Sequence, residues 1–124
     1  MLFPLIGVRL HGWLDDLVTL TYLLGATVLG LRGAPLAIAL GGATVHLLLT
    51  RLTNYPQGAW KLIPFRVHAF IELTEGIAVA GTAVALVGTH PPLARAFLIL
   101  LGLSQLGAFA FSDYRMVPSP DPRG

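Results

Sequence analysis

The chain has 124 residues, of which 55% are hydrophobic and only 11% are charged, whereas about 25% of the residues of an ordinary soluble domain are charged. So few charged side chains cannot cover a domain of this size in water, and the composition is therefore typical of a membrane protein. The formal net charge of +2 comes from basic residues spread singly along the chain, which argues against a nucleic-acid partner. The chain has no cysteine, which excludes disulfides, thiolate metal sites and iron–sulfur clusters.

Four apolar segments are long enough to cross a bilayer, whose hydrocarbon core requires about 20 helical residues. In chain order they cover residues 10–31, 35–52, 67–87 and 92–111. The turns LRGAP and VGTHPP join the first segment to the second and the third to the fourth, and their Gly and Pro residues indicate two tight helical hairpins. The sequence predicts an all-α integral membrane four-helix bundle over residues 1–115, followed by a disordered tail over residues 116–124.

The distribution of Lys and Arg predicts the orientation of these spans. The side that carries both termini and the long connection between the hairpins has six basic residues: Arg9, Arg51, Lys61, Arg66, Arg115 and Arg123. The two hairpin turns have only Arg32 and Arg95. Because basic residues are enriched in cytoplasmic segments, both termini are predicted to face the cytoplasm.

Two strings of the sequence, RLHGWLD and RVHAFIE, have the same order of residue types: Arg, aliphatic, His, small, aromatic, aliphatic and acid. Aligning His11 with His68 also pairs Asp15 with Glu72 and, further along, LTNY with FSDY. Each half crosses the membrane twice, so the halves should point the same way, related by a pseudo-two-fold axis along the membrane normal. The sequence therefore predicts two tandem hairpin repeats, at about residues 9–55 and 66–114.

The repeated pattern places polar side chains at the cytoplasmic end of the bundle. Residues i and i+4 share a helix face, so His11 should lie beside Asp15, and His68 beside Glu72. These two pairs are candidate metal ligands, because Zn²⁺, Fe²⁺ and Mn²⁺ accept imidazole nitrogen and carboxylate oxygen, and a two-fold axis would bring the pairs together. The other members of the predicted polar cluster are Asp16, His46, Asn54, Glu75, Gln105 and Asp113.

The strings HGWLDD, LTNYP and IPFRVHAFIE resemble segments of the SPW-repeat family of small bacterial membrane proteins. The similarity extends from His11 to Tyr114. The Ser-Pro-Trp that names the family is absent here, although Pro35 and Pro92 stand near where it would fall. The resemblance implies a duplicated two-helix unit in a bacterial inner membrane, and it implies neither a function nor any site residue.

The chain lacks G-x-S-x-G, H-E-x-x-H and a phosphate-binding glycine loop, so it gives no indication of enzymatic activity and no catalytic residues. The predicted function is that of a small structural or accessory membrane protein, in contact with lipid and assembled with itself or with a larger membrane complex. In this interpretation the polar cluster only fastens the helix ends, through His-to-acid contacts and the interaction of carboxylates with the helix dipole.

Three alternatives assign a ligand or a transported species to the same polar groups. The first is a divalent metal held by the two His-acid pairs. The second is haem or another tetrapyrrole, ligated by the two symmetric histidines or by His46 alone. The third is a path for protons or a small solute along the carboxylates and His46.

Overall fold

A computed structural model describes residues 3–115 of the chain, so the tail predicted over residues 116–124 lies outside the described residues. The fold consists of four helices: α1 (Val8–Val28), α2 (Gly33–Leu52), α3 (Phe65–Ala85) and α4 (Pro92–Phe111). The described part of the chain forms two isolated β-bridges and no strand. The prediction of an all-helical protein is therefore confirmed.

The helix ends differ from the predicted spans by two or three residues at several places, and the turns show why. Gly30 in the α1–α2 turn has φ 59°, Gly33 at the start of α2 has φ 58°, and Gly88 in the α3–α4 turn has φ 80°. Only glycine adopts these left-handed conformations without a steric penalty, so the helix before each turn must end early. Pro92, whose fixed φ suits the first helical position, begins α4 where the sequence predicts it.

Three of the helices, α2, α3 and α4, are long and apolar enough to cross a membrane, with mean hydropathies of 1.5, 1.3 and 1.7. The helix α1 has the same length as α3 but is less apolar overall. Large apolar side chains such as Leu24, Val84 and Leu100 are exposed on the outside of the bundle. This distribution is that of an integral membrane protein, whose outer surface faces lipid.

The helices pack as two hairpins, α1 against α2 and α3 against α4. The second hairpin is close enough for backbone contact: a Cβ atom added to Gly76 would lie 2.8 Å from the carbonyl oxygen of Gly102. A Cβ added to Gly102 would in turn lie 2.7 Å from the carbonyl oxygen of Gly76. Small residues of this kind allow membrane helices to approach closely.

The bundle interior is layered along its axis. The part near the hairpin turns is apolar and contains Tyr22, Ala39 and Leu98. The opposite end is closed by an aromatic layer that contains Tyr55, Phe65 and Tyr114. Buried polar side chains fill the space between these two layers, and they form the candidate site.

Two short extended segments cross the aromatic end of the bundle. Ile6, before α1, bridges Ser112, and its N–H donates to the carbonyl oxygen of Phe111 at 2.8 Å. Ile63, before α3, bridges Thr53. These bridges hold Thr53, which follows α2, and Ser112, which follows α4, next to the polar layer.

Candidate metal centre

Four ionisable side chains converge between α1 and α3. His11 and Asp15 lie on one face of α1, and His68 and Glu72 lie on one face of α3, as their i, i+4 spacing requires. All four side chains are at most 1% exposed. One ligand atom from each lies within 4.8 Å of the other three, so the structure brings all four candidate metal ligands together.

Each histidine lies near the other histidine and near both carboxylates, with the two histidines approaching different oxygens of Asp15. The Nε2 atoms of His11 and His68 are 3.2 Å apart. The Nε2 of His11 lies 3.4 Å from Asp15 Oδ1 and 3.3 Å from Glu72 Oε2, while that of His68 lies 3.3 Å from Asp15 Oδ2 and 3.8 Å from Glu72 Oε2. Four N and O ligands at the usual distance from a tetrahedral Zn²⁺ ion would be separated by about 3.3 Å.

The tautomer of His68 follows from its hydroxyl neighbour. Thr53 Oγ1 donates to the carbonyl oxygen of Leu49 at 2.6 Å and lies 2.8 Å from His68 Nδ1. A hydroxyl group has one proton, so the second contact requires His68 Nδ1–H to donate to Thr53. The Nε2 atom of His68 therefore directs a lone pair toward the other three ligand atoms. Ser112 Oγ lies at 2.6 Å from His11 Nδ1, in the corresponding position.

Tyrosine hydroxyls hold both carboxylates. Tyr55 donates to Asp15 Oδ2 at 2.6 Å, and Tyr114 donates to Glu72 Oε2 at 3.2 Å. Burial and the nearby carboxylate raise the pKa of each tyrosine above its usual value, so both phenols stay protonated and act as donors. Such outer hydrogen bonds orient the ligands of a metal site.

A second polar layer begins at His46 on α2. Its Nδ1 lies 2.9 Å from Glu75 Oε2, and its Nε2 lies 3.4 Å from Asp15 Oδ1. Gln105 on α4 donates to the Tyr22 hydroxyl at 3.2 Å and lies 3.5 Å from the same His46 Nδ1. Three predicted cluster members, His46, Glu75 and Gln105, therefore extend the polar cluster deeper into the bundle.

The other three predicted members of the cluster lie at its rim. Asp16 faces outward and forms an ion pair with Arg51 at 2.7 Å. Asp113 forms an ion pair with Arg115 at 3.0 Å. Hydrogen bonds from the side chain and the backbone of Arg115 lower the pKa of the Asp113 carboxyl group. Asn54 is half-buried, and its backbone N–H donates to the connection before α3. None of the three contributes to the ligand set.

Sequence reasoning did not include the four residues that orient the ligands. Thr53, Tyr55, Ser112 and Tyr114 all belong to the aligned strings LTNY and FSDY. The recurrence of a hydroxyl residue two positions before a tyrosine in both halves was the available signal. Their role depends on the extended segments that press the helix ends onto the site.

Aromatic rings close the end of the site. Phe65 is 1% exposed, and its ring centroid lies 5.0 Å from that of His11 and 4.7 Å from that of Tyr114. The site is therefore shielded from water, which strengthens electrostatic interactions within it. Two carboxylates and two imidazole lone pairs in such a place match the charge and ligand preference of a divalent transition metal.

Comparisons of the chain with protein-family models, with curated proteins and with solved structures found no match. The resemblance to SPW-repeat proteins therefore stays a prediction from the strings quoted above. The functional interpretation depends on the geometry of the site.

Proposed function

We propose that the protein is a small membrane protein in which His11, Asp15, His68 and Glu72 hold one divalent metal ion, with Zn²⁺ as the best fit. The observation that supports this proposal is the convergence of four ligand atoms from two helices within 4.8 Å of one another, with the two histidine nitrogens 3.2 Å apart. A set of four protein ligands leaves no open position for a substrate, as in structural rather than catalytic zinc sites. The proposed metal therefore serves the structural or accessory role that the sequence predicts.

Fastening by hydrogen bonds alone explains the centre less well. The lone pair of His68 Nε2 faces His11 Nε2 at 3.2 Å and Asp15 Oδ2 at 3.3 Å. A neutral His11 offers at most one proton to this centre, and that proton cannot serve all the acceptors around it. A metal ion interacts with all four ligand atoms at once. Glu72 Oε1, which has no hydrogen-bond partner in the described part of the chain, is a further sign that protein donors do not satisfy this centre.

The tetrapyrrole alternative fits the geometry poorly. Two axial histidines must stand on opposite sides of a macrocycle, whereas here the Nε2 atoms of the two histidines are 3.2 Å apart. The ring of Phe65 also packs directly against both histidines. The arrangement favours a bare metal ion over a haem.

The proposal places all four helices across a bacterial inner membrane, with both termini and the metal centre on the cytoplasmic side. The match in length between α1 and α3 supports the fourth span. The charged residues of α1 that lower its hydropathy lie near one helix end, where a polar group costs less than at the bilayer centre. The six-to-two distribution of basic residues supports the orientation.

The same proposal includes the duplication and membership of the SPW-repeat family. Thr53 of the first half contacts His68 of the second, and Ser112 of the second half contacts His11 of the first. The tyrosine of LTNY and the tyrosine of FSDY each donate to the carboxylate of their own half. Contacts that recur when aligned residues are exchanged support a pseudo-two-fold relation between two tandem hairpins.

Elemental analysis of the protein purified in detergent tests the metal. Wild-type protein should contain stoichiometric zinc, and both Asp15→Asn and Glu72→Gln should lose most of it, because each removes a charged ligand. Asp16→Asn is the matched control, since Asp16 is adjacent in sequence but pairs with Arg51 at the rim. Absence of metal from the wild type under zinc-replete conditions, or its retention in both ligand variants, would rule out this centre.

A further inference from the structure

A groove of about 420 Å³ lies on the outside of the bundle between α3 and α4, at the end that carries the aromatic layer. The volume is within the range of small-molecule sites, roughly 300 to 1,000 Å³. Each side of the groove has an arginine and a phenylalanine. The residues that line it are Arg66, Ala69, Phe70, Phe109, Tyr114 and Arg115.

The charged and the apolar parts of this groove are separated along the bundle axis. Arg66 is the second residue of α3, and Arg115 follows the end of α4 at Phe111, so both cations lie where the bundle leaves the membrane. Phe70 lies four residues further into α3, about 6 Å along the axis, and its ring centroid is 6.4 Å from that of Phe109. Long arginine side chains in such positions lie along apolar surface and hold their charge in the headgroup layer. The groove therefore has a cationic rim and aromatic walls below it.

The charge of Arg66 is not balanced within the described part of the chain. Its side chain is exposed and forms no hydrogen bond or ion pair with residues 3–115, whereas Arg51 pairs with Asp16. The first turn of α3 contains no acidic residue, and the positive end of the helix dipole disfavours a cation there. An anion beside Arg66 would therefore stabilise this end of the helix.

Arg115 brings a second guanidinium group that is only partly used. Its Nε and Nη2 atoms donate to the two carboxylate oxygens of Asp113 at 3.0 and 3.1 Å, while its Nη1 has no partner within residues 3–115. Arg66, Arg115 and Asp113 together carry one net positive charge, which matches the single negative charge of a phosphate diester. Guanidinium groups are well suited to hold phosphate oxygens.

We infer that the α3–α4 groove binds an anionic phospholipid, with its phosphate diester at Arg66 and Arg115 and an acyl chain against Phe70 and Phe109. Basic pockets between membrane helices bind anionic headgroups in other proteins. A zwitterionic headgroup fits less well, because its ammonium group adds a positive charge to a rim that is already positive. The inference depends on the membrane placement of the bundle and is independent of the proposed metal.

The proposed repeat offers a comparison, because the corresponding face of the first hairpin is covered by protein. Aligning the halves pairs Arg9 with Arg66 and Gly12 with Ala69. A Cβ atom on Gly12 would collide with the side chain of Gln57, whose Nε2 donates to the carbonyl oxygen of Arg9 at 3.0 Å. The connection between the hairpins thus covers α1 where the groove leaves α3 open. Arg9 is exposed and does not line the groove, so it is the matched control for Arg66.

Photolabelling in nanodiscs tests the inference with phosphatidylglycerol that carries a diazirine on one acyl chain. The probe should label peptides of α3 and α4 that line the groove. Unlabelled phosphatidylglycerol should compete about fivefold better than phosphatidylethanolamine with the same acyl chains, the usual effect of one charge interaction at the membrane surface. Inorganic phosphate should not compete, because it has no chain to occupy the aromatic walls.

Arginine variants test the location. Arg66→Gln should weaken competition by phosphatidylglycerol about fivefold, whereas Arg9→Gln should behave as wild type. Arg66→Lys keeps the charge and should retain most of the preference for phosphatidylglycerol. Both arginines are exposed, so all three variants should unfold at the temperature of the wild type when no lipid is added, which reports on the fold separately.

Three results would overturn the inference. Equal competition by the two lipids in the wild type would mean that the groove does not recognise headgroup charge. An equal loss in Arg66→Gln and Arg9→Gln, or labelling spread evenly over all four helices, would mean a general attraction of anionic lipid to the protein. Absence of saturable labelling in the wild type would mean that another part of the chain or a second copy covers the groove.

Discussion

Replacement of Thr53 with valine removes a hydroxyl group and leaves the shape of the side chain almost unchanged. In the folded protein this hydroxyl accepts the Nδ1–H of His68 at 2.8 Å. Without it the imidazole loses the contact that fixes its tautomer, and the buried Nδ1–H has no acceptor in this position. We expect the variant to fold and to bind zinc more weakly, because part of the binding free energy must now orient the ring.

The expected loss of zinc affinity follows from the loss of this one hydrogen bond between Thr53 and His68. Loss of an outer hydrogen bond to a metal-ligating histidine typically weakens metal binding by about 10- to 100-fold, which corresponds to about 1.4 to 2.7 kcal/mol. When free zinc is well above the dissociation constant, the stabilisation of the folded state by zinc should fall by the same amount. After removal of zinc, the variant and the wild type should differ much less in stability.

The assay is competition for zinc between the purified protein and a chromophoric chelator, combined with thermal unfolding in the presence and absence of zinc. Thr44→Val is the matched control, because Thr44 lies on α2, which Thr53 directly follows, and makes the same type of bond, to the carbonyl oxygen of Leu40, but faces outward. If Thr53→Val and Thr44→Val both bind zinc with the affinity of the wild type, then His68 is not a ligand oriented by Thr53. One of the two nitrogen ligands of the proposed centre would then be withdrawn.

Two further predictions concern the carboxylates and the topology. Tyr55→Phe should weaken zinc binding more than Tyr114→Phe in the same competition assay. The reason is that the hydrogen bond from Tyr55 to its carboxylate is 2.6 Å long, whereas that from Tyr114 is 3.2 Å long. The reverse order would mean that these hydrogen bonds do not hold the ligands. Cysteines introduced at exposed Ala59 and Thr89 should react with an impermeant maleimide from the cytoplasmic and the opposite side, respectively, and labelling of both from one side of intact cells would contradict the four-span topology.

The helices could be predicted from sequence because their causes are local. Runs of about 20 apolar residues define the spans, and Gly and Pro end them, so neither feature depends on distant parts of the chain. The error at the ends is also local in origin: Gly30 and Gly88 adopt left-handed conformations, and the apolar residues just before them belong to turns rather than to helices. Hydropathy separates α1 from the other three helices, although α1 and α3 each contribute a histidine and a carboxylate to the site.

The site was only partly predictable because its halves come from different helices. The pairs His11–Asp15 and His68–Glu72 follow from helix periodicity. That these two pairs meet each other, while Asp16 turns away toward Arg51, depends on how α1 and α3 are rotated in the bundle. A single sequence contains no direct record of that rotation.

The role of Thr53 shows a second limit of sequence reasoning. Threonine in a membrane helix commonly donates to the carbonyl oxygen four residues earlier, and Thr53 does so toward Leu49. That bond does not exclude a site function. By using the hydroxyl proton, it leaves only the oxygen lone pairs for His68, and this forces the imidazole to be the donor. This local bond therefore decides which nitrogen of His68 faces the site.

The contacts exchanged between the two halves give a physical reason why the protein needs both copies of the proposed repeat. A single hairpin of this kind would contain one of the two proposed histidine ligands, one of the two carboxylate ligands and the tyrosine that holds that carboxylate, but the hydroxyl next to its histidine belongs to the other hairpin. Two ligands do not complete a tetrahedral zinc shell. In the proposed arrangement each hairpin therefore has two roles for the other. It supplies two of the four metal ligands, and it supplies the hydroxyl group that orients the histidine of the other hairpin. Such a bundle would be joined by the metal in a membrane, where hydrophobic association between the hairpins is weak because lipid solvates apolar helices as well as other helices do.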